Sequence, residues 1–284
     1  MPFRPRRSAL YMPGSNPRAL EKARSLPADV VILDLEDSVA PDEKAKARDS
    51  VLRAVAEGGF GTREVVVRVN GLDTPWGKED LAAFVGTQAD AVLVPKVSSR
   101  ADVVAVQAGL GAGRSMAIWA MMETPQAILA AAEIASARAE VPGFAAMVMG
   151  TNDLAKETRA TLLPGRRAFQ PWLATCLIAA RSSGLDIIDG VFNDLEDAAG
   201  FEAECRQGRE MGFDGKTLIH PRQIEPCNQV FSPGPDELAW AERIAHLFDL
   251  PENQSLGVVR LEGRMVERLH AEMAQRMLAT VTRG

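Results

Sequence analysis

Two acidic residues, Glu123 and Asp153, each follow a short run of apolar residues and could together bind a cation. Both lie in the stretch 115–157, which reads as a strand, a helix and a second strand. If the two strands are parallel neighbours, both carboxylates lie at the same edge of the sheet, where they repel each other unless a cation lies between them. Mg²⁺ prefers such oxygen ligands. The stretch therefore predicts a metal site, with two helix-capping acids in solvated loops as the alternative.

Arg68 is a further residue whose position suggests chemistry, because it interrupts the apolar run 64–70. A guanidinium at the end of a buried strand can pair with a substrate carboxylate through two parallel hydrogen bonds. The alternative is an internal salt bridge with Glu36 or Glu123. A divalent ion on two carboxylates with an arginine beside it suits a 2-oxo acid, whose carboxylate and keto oxygens can both bind the ion.

The segment 11–18, together with Lys22, combines a Pro-Gly turn, a helix start and basic side chains. Backbone amides at a helix start, with Arg18 and Lys22 nearby, can receive phosphate groups. A solvated helix face explains the same residues equally well, so this pattern alone does not decide between the two.

Composition argues against several classes of protein. The chain has 284 residues, 46% of them hydrophobic, and a net charge of −6 without blocks of like charge, so a nucleic-acid surface is not expected. No apolar run is long enough to cross a membrane, and the basic start lacks the apolar core of a secretory signal.

The three cysteines are scattered, which argues against disulfides and predicts a reducing cytoplasm as the location. The histidines are not spaced as a ligand pair, which argues against zinc.

Eight short apolar runs, each followed by a helical segment, must position these side chains: 8–12, 30–35, 64–70, 91–94, 117–122, 144–149, 185–191 and 216–219. Apolar strands that alternate with helices indicate a parallel sheet, and eight such units predict an α/β fold of the (β/α)8 TIM-barrel type. An open doubly wound sheet is the alternative, but no G-x-G-x-x-G follows the first strand. In a barrel, catalytic groups lie at the C-terminal strand ends, which here carry Glu36, Asp37, Arg68, Asn70, Lys96, Glu123, Asp153, Asp189 and Asn193.

Capping residues predict where three of the helices begin. Asn16 and Thr124 each precede a proline, so each can cap a helix whose first residue is that proline. Asn193, with Glu196 three residues later, is similar to a capping box for the helix after the seventh strand.

The pattern changes after residue 231, where a Ser-Pro-Gly-Pro cluster interrupts the alternation of strands and helices. We therefore predict a catalytic barrel domain over 1–231 and a C-terminal helical extension over 232–284. The extension reads as a helix over 236–247, a short extended segment over 258–261 and a last helix from about 265 to 280. Because eight strands already close a barrel, the extension is expected to be a lid, an arm that packs onto a neighbouring subunit, or both.

Ordered motifs from about residue 8 to residue 277 carry a family resemblance: LYMPGSNPRALEKA, VILDLEDSV, VRVNGLDTPWG, VPKV, METPQAI, GTNDLAKE, FNDLED and GFDGKTLIHPRQI. Together they resemble the CoA-ester lyase branch of the citrate lyase β-subunit and malyl-CoA lyase family, in the HpcH/HpaI aldolase superfamily. The resemblance implies a TIM barrel with a C-terminal lid, assembly as a homotrimer or hexamer, and Mg²⁺ as the cofactor. It further implies site residues: Glu123 and Asp153 as metal ligands, Arg68 at the oxo acid, and Pro13, Arg18 and Lys22 at CoA.

The C-terminal segment departs from the family pattern at a residue that matters for the reaction, and the proline that often follows two residues later is absent. In the malyl-CoA lyase branch it reads Asp-Gly-Lys-Met-Ile-Asp, and the last Asp acts as acid or base in a neighbouring active site. Here Glu267 stands at the matching position, one methylene longer. It either keeps that role or is an ordinary acid at a helix start.

The implied reaction is a retro-Claisen cleavage of a short 3-hydroxyacyl-CoA of the malyl-, citramalyl- or citryl-CoA type. Its products are an acyl-CoA and a 2-oxo acid, which could be oxaloacetate, glyoxylate or pyruvate. Arg68 and Glu123 would bind the substrate, and Asp37 or Glu267 would remove the hydroxyl proton.

Three other functions stay open from the sequence. A malyl-CoA thioesterase would need only a water molecule in place of one step. A class II 2-oxo-acid aldolase would use the same metal pair without CoA, but those enzymes carry a histidine near an early strand, whereas the first histidine here is His220. A dependent subunit of a larger lyase complex would bind the same ligands and remain inactive alone.

Overall fold

A computed structural model describes residues 4–111 and 116–281, although the side chains of 279–281 are outside the description. Ser115, at which the stretch selected from the sequence begins, lies outside the described residues, as do both ends of the chain. The chain divides into two compact units. One covers 6–231, and the other contains the residues after 231 together with residues 4 and 5.

Within the described residues, the first unit is built on a closed barrel of eight parallel strands. Each strand pairs with the next one in the chain, and the last pairs with the first. The strands are β1 (Ser8–Pro13), β2 (Val30–Asp34), β3 (Glu64–Arg68), β4 (Ala91–Val94), β5 (Ala117–Met122), β6 (Phe144–Met149), β7 (Asp186–Asp189) and β8 (Gly215–Leu218). The (β/α)8 prediction is confirmed, because runs of apolar residues form strands that are buried on both faces.

Helices follow the strands and cover the outside of the barrel. They are α1 (Pro17–Ala23), α2 (Lys44–Glu57), α3 (Gly77–Phe84), α4 (Arg100–Leu110), α5 (Pro125–Leu129), α6 (Ala131–Ser136), α7 (Thr151–Thr158), α8 (Gln170–Ser182), α9 (Ala198–Met211) and α10 (Ile224–Phe231). Short 3-10 helices lie at Pro41–Glu43, Ala137–Ala139 and Pro221–Gln223. None of the helices in the described part of the chain is long and apolar enough to span a membrane.

Two of the three predicted helix starts are confirmed. The Asn16 side chain accepts hydrogen bonds at the start of α1, and the Thr124 hydroxyl accepts one at the start of α5. The third prediction, a cap at Asn193, is wrong. Asp197 caps α9 instead, by accepting a hydrogen bond from the Gly200 N–H at 2.8 Å, because the preceding residues form a turn around the Asp194 side chain.

Alternate residues along each strand point into the barrel or outward to the helices. The inward set forms a separate apolar cluster, which includes Ile32, Val66, Trp119 and Val148. The outward set packs against the helices in a larger cluster. This alternation decides which side chains reach the open C-terminal end of the barrel from the inside.

The second unit contains α11 (Pro235–Ile244), β9 (Val258–Leu261), β10 (Arg264–Glu267) and α12 (Arg268–Val281). The predicted start of the last helix near Met265 is wrong, because β10 pairs with β9 as an antiparallel hairpin. Its two-residue loop, Glu262 and Gly263, has φ values of 51° and 80°. Two consecutive positive φ angles suit the tight hairpin turns that match the twist of paired strands.

Candidate active site

A cavity of about 300 Å³ lies at the C-terminal end of the barrel. Its wall contains charged or polar side chains from several strand ends and the loops after them: Tyr11, Asp34, Asp37, Ser38, Arg68, Glu123, Thr151, Asn152, Asp153 and Thr217. Of the residues predicted from the sequence, it brings together Glu123, Asp153, Arg68 and Asp37. Active sites of TIM barrels occupy this end of the fold.

Glu123 and Asp153 are joined by a cation that belongs to the protein itself. The Lys96 ammonium lies 2.5 Å from Asp153 Oδ1 and 3.6 Å from Glu123 Oε1. The Lys96 backbone N–H also donates to Glu123 Oε1 at 2.8 Å. The backbone of Lys96 has a φ of 56°, which is a left-handed conformation. This conformation is uncommon for residues other than glycine, and it occurs preferentially at functional sites.

The electrostatics of this pair depend on burial. Glu123 is 1% exposed, and burial raises its pKa although the Lys96 charge acts in the opposite direction. Burial also opposes the charge on Lys96, but the hydrogen bond to Asp153 and the two carboxylate charges outweigh it and raise the pKa of Lys96. The two carboxylates are therefore stable as a pair only while a positive charge stays beside them.

The donor set fits a hard divalent ion. No group of three or more histidine, cysteine or acidic side chains that could hold a metal is found among the described residues. Mg²⁺, however, commonly takes one or two carboxylates from the protein and completes its shell with water and substrate oxygens. Glu123 and Asp153 supply two such oxygens beside an open cavity, at a position where a cationic group already lies.

Arg68 is held by a carboxylate that sequence reasoning did not select. Its Nε and Nη2 each donate to Asp34 at 2.7 Å, while Nη1 lies 2.8 Å from Glu36 and 3.4 Å from Asp37. The guanidinium also stacks over the Tyr11 ring at 4.7 Å. The internal salt bridge to Glu36 is thus present, while Glu123 pairs with Lys96. Only Nη1 is directed away from Asp34, so Nη1 is the atom through which Arg68 could meet a substrate carboxylate.

Asp34 could have been found from the alternation of the strand. Val30 and Ile32 belong to the inward apolar cluster, so Asp34 continues the same face at the open end of β2. Burial alone would raise the pKa of Asp34, but the charge and hydrogen bonds of Arg68 lower it below its usual value. By contrast, burial raises the pKa of Glu36 to about 7, with Arg68 opposing and Asp37 reinforcing the shift.

Asp189 does not reach the cavity, which corrects its predicted place among the strand ends that face the mouth. Ile188 faces the barrel interior, so Asp189 points outward. There it is fully buried and accepts hydrogen bonds from Arg166 Nη1 at 2.7 and 2.9 Å and from Lys216 Nζ at 3.1 Å. Lys216 also donates to Glu204 at 2.7 Å. These buried charges balance one another outside the cavity.

Other predicted residues lie on the rim or in the second unit. Pro13 ends β1, and Arg18 and Lys22 are exposed on α1, which follows directly from β1. Asp37 is 64% exposed beside Arg68. Glu267 is exposed at the end of β10 in the second unit. Their roles toward CoA and toward proton transfer stay predictions.

A family model described as HpcH/HpaI aldolase/citrate lyase matches residues 7–221. The chain belongs to this family. It is 50% identical over 275 residues to a (3S)-malyl-CoA thioesterase of Cereibacter sphaeroides, across 97% of this chain and 94% of the relative. It is 34% identical over 301 residues to an L-malyl-CoA/beta-methylmalyl-CoA lyase of the same species, across 96% and 94%. The CitE protein of Mycobacterium tuberculosis, solved with magnesium, acetoacetate and coenzyme A, has a TM-score of 0.78 and 30% identity over 96% of this chain and 97% of that one.

These relatives confirm the resemblance to the citrate lyase β-subunit and malyl-CoA lyase group, but they do not share one activity. The relative at 50% identity is named for thioester hydrolysis, whereas the relative named as a malyl-CoA lyase is 34% identical. The predicted carbon–carbon lyase activity is therefore supported only at the level of the family. The thioesterase alternative has the support of the more similar relative.

Proposed function

We propose that this protein is a Mg²⁺-dependent enzyme that hydrolyses the thioester of a short 3-hydroxyacyl-CoA of the malyl-CoA type. The observation that carries the proposal is the pair Glu123 and Asp153, bridged by a cationic group in the barrel cavity beside Arg68. Such a pair suits a ligand that brings its own oxygens to a divalent ion. The preference for hydrolysis follows from the 50% identity with a malyl-CoA thioesterase over nearly the whole chain.

Mg²⁺ bound by Glu123 and Asp153 would hold the hydroxyl and carboxylate oxygens of the acid part and act as a Lewis acid toward them. For this, the Lys96 ammonium has to move from its place between the carboxylates, and its 37% exposed side chain has room to do so. Arg68 Nη1, which pairs here with Glu36 and Asp37, is the nitrogen that would exchange one of these partners for the terminal carboxylate, because Asp34 holds the other two nitrogens in place. Preorganised donors of this kind cost little reorganisation during the reaction.

Hydrolysis requires a water oxygen to attack the thioester carbonyl carbon, the carbon–sulfur bond to break, and the CoA thiolate to leave. The water proton passes to a carboxylate and then to the thiolate, which gives the free acid and CoA. Asp37 lies beside Arg68 and can accept this proton, and Glu267 of a neighbouring copy is the second candidate base. Arg18 and Lys22 on α1, with Pro13 before them, are proposed to meet the CoA phosphates.

The second candidate is the carbon–carbon lyase reaction, for which the same ligands would serve. The lyase of Cereibacter sphaeroides at 34% identity favours it. In that case the base removes the hydroxyl proton of the substrate, and the carbon–carbon bond breaks to give a 2-oxo acid and the enolate of an acyl-CoA. Return of a proton to the enolate carbon then gives the acyl-CoA. The C-terminal extension is proposed to act as a lid or an oligomer arm in either reaction, within a homotrimer or hexamer.

The test is a product assay on the purified protein with malyl-CoA, citramalyl-CoA and citryl-CoA, with Mg²⁺ and with a chelator. Free CoA without 2-oxo acid, formed only with Mg²⁺, is the expected result. Formation of 2-oxo acid without free CoA would replace hydrolysis by the lyase reaction. If none of the three is consumed, the stand-alone enzyme is contradicted, and a dependent subunit becomes the better account.

Two variants connect the activity to the site. Glu123→Gln should lower Mg²⁺-dependent turnover at least a hundredfold, because a neutral amide is a poor metal ligand but can still accept the hydrogen bond from the Lys96 N–H. Glu157→Gln is the matched control, since Glu157 is exposed on α7, the helix that carries Asp153. It should turn over at the wild-type rate.

A further inference from the structure

Tyr11 lines the cavity, but the proposed reaction assigns no role to its side chain. It follows Ala9 on the inward face of β1 and packs against the apolar cluster that fills the barrel. Its ring lines the cavity and lies 4.7 Å from the Arg68 guanidinium carbon. A cation over an aromatic face fixes the ring, and Asp34 fixes the cation in turn. The position of the Tyr11 hydroxyl is therefore well determined.

The hydroxyl has an unusually weak hydrogen-bond partner. It lies 3.6 Å from the Met121 thioether sulfur, which is a poor acceptor. Other polar groups of the same cavity have stronger partners: Asp153 accepts from the Lys96 ammonium, and the Thr217 hydroxyl donates to the Asp189 carbonyl oxygen at 2.9 Å. A buried O–H donor normally meets an oxygen acceptor. A substrate oxygen placed over Met121 would supply one.

The hydroxyl also keeps its proton across the physiological range. Burial raises the pKa of Tyr11, and the carboxylates of Asp34, Glu123 and Glu36 act in the same direction, while Arg68 acts against them. The group is thus a neutral donor next to the acidic pair. A neutral donor can approach an anionic oxygen without adding a charge that would compete with the metal ion.

We infer that the Tyr11 hydroxyl donates a hydrogen bond to a carboxylate or carbonyl oxygen of the acid part of the bound substrate. This inference rests on the proposed function, since it assigns a donor within the same cavity. A donor aimed at an oxygen that gains negative charge during the reaction stabilises the transition state, and removal of one such donor lowers turnover by about a hundredfold or more in well-studied enzymes. A donor to an oxygen whose charge does not change would affect binding instead.

The first test is Tyr11→Phe, which removes the hydroxyl and leaves the ring over Arg68. We expect kcat/KM for the thioester substrate to fall at least tenfold while the thermal unfolding midpoint stays within a few degrees. A fall in kcat places the bond in the transition state, and a rise in KM places it in the ground state; either supports the inference. Wild-type kcat/KM in Tyr11→Phe would overturn it.

A control variant separates loss of this hydroxyl from loss of any hydroxyl. Thr175 is exposed on α8 and donates to the Pro171 carbonyl, away from the cavity. Thr175→Val should keep the wild-type kcat/KM. If both variants lose activity equally, the effect of Tyr11→Phe is not specific to the cavity, and the inference fails.

The second test uses binding alone, because Tyr11 is the only tyrosine among the 284 residues. Protein labelled with 3-fluorotyrosine gives a single ¹⁹F resonance from this one position. We expect the resonance to shift as pyruvate is added in the presence of Mg²⁺. An unchanged resonance at a pyruvate concentration that calorimetry shows to be saturating would overturn the inference.

The two tests distinguish failure of the inference from failure of the proposed function. If no thioester is turned over but the ¹⁹F resonance responds to pyruvate and Mg²⁺, the proposed function fails and the donor role stands. If the wild-type enzyme hydrolyses malyl-CoA, while Tyr11→Phe is fully active and the resonance does not move, only the donor role fails.

Discussion

At the level of single residues, the site is an arrangement of buried charges that balance one another. Asp34 holds Arg68, and Lys96 holds Glu123 and Asp153. Glu36 is the exception, because burial destabilises its charge, and the nearby carboxylates of Asp37, Glu123 and Asp34 add to this effect although Arg68 Nη1 opposes it. With a pKa of about 7, Glu36 changes its charge near neutrality.

Glu36 should make the folded protein less stable as the pH rises. Because its pKa is raised in the folded state from an ordinary value of 4.5 to about 7, the native protein binds the extra proton, and stability falls between about pH 4.5 and 7. Glu36→Gln removes this dependence. We expect the variant to gain about 2–3 kcal/mol over wild type at pH 8 and little at pH 4.5, measured by urea unfolding with a chelator present.

The control for this experiment is Glu210→Gln, because Glu210 is exposed on α9. The stability difference between Glu210→Gln and wild type should not change with pH over the same range. A pH-independent difference between Glu36→Gln and wild type would show that folding does not raise the pKa of Glu36.

Several of these residues were accessible from the sequence and others were not. Glu123 and Asp153 could be selected because each acid directly follows an apolar run that forms a strand. Asp34 was missed because it lies inside the motif VVILDL, whereas Glu36 and Asp37 follow at its end. The two-residue alternation of the strand nevertheless places Asp34 on the inward face. Lys96 as the bridging cation could not be foreseen, since its contacts depend on a left-handed backbone conformation.

At the level of elements, close packing between β5 and the loop before α7 fixes the acidic pair. A Cβ atom on Gly150 would lie 2.3 Å from the Glu123 Cβ and 2.7 Å from its Oε2. No L-residue with a side chain fits there unless Glu123 moves, so the glycine is required by the approach of the two elements rather than by its backbone angles.

Gly150→Ala should therefore displace Glu123 and lower Mg²⁺-dependent turnover by at least tenfold, through a weaker affinity for Mg²⁺ in calorimetry. Gly257→Ala is the matched control, since a Cβ there meets nothing within 4 Å and its φ is not in the left-handed region. Unchanged Mg²⁺ affinity in Gly150→Ala would mean that Glu123 is not a metal ligand.

The wall formed by β7, β8 and α9 depends on the buried charges around Asp189. Asp189→Ala would leave Arg166, 2% exposed, and Lys216, fully buried, without their main counter-charge. We expect a loss of about 3–5 kcal/mol in the free energy of unfolding, measured with urea.

An exposed ion pair on α9 gives the comparison for Asp189→Ala. Glu202 pairs with Arg206 on α9, with both side chains about half exposed. Glu202→Ala should cost less than about 1 kcal/mol. Equal losses from the two variants would contradict the view that burial makes the Asp189 cluster important.

The elements were largely predictable because apolar runs between turn residues mark each strand of a parallel barrel. Predicted and observed strands differ only at their ends, as for 185–191 against Asp186–Asp189. The hairpin of β9 and β10 was not foreseen. The segment Arg264–Glu267 has no strong strand pattern of its own and pairs only because the turn at Glu262 and Gly263 returns the chain to β9.

At the level of the whole molecule, the proposed activity uses a metal ligand from one compact unit and a candidate base from the other. Glu123 belongs to the barrel, and Glu267 belongs to the C-terminal unit. If Glu267 acts as the base in the active site of a neighbouring copy, then Glu123→Gln and Glu267→Gln are each inactive alone, but a mixed oligomer contains some intact sites.

This arrangement predicts that activity returns when the two variants are unfolded together, mixed and refolded. Each variant refolded by itself is the control and should stay at least tenfold below wild type. If the mixture is as inactive as its components although mass spectrometry detects mixed oligomers, Glu267 does not act between subunits. If Glu267→Gln alone is fully active, Asp37 remains as the proposed base.

The most direct test of the account is the initial rate of CoA release from malyl-CoA as a function of Mg²⁺ concentration. We predict that release rises from near zero to saturation with Mg²⁺ in the wild-type protein, without any 2-oxo acid, and that Glu123→Gln shows no such rise. Release that proceeds equally with Mg²⁺ and with a chelator would contradict it, because Glu123 and Asp153 would then have no metal-dependent role.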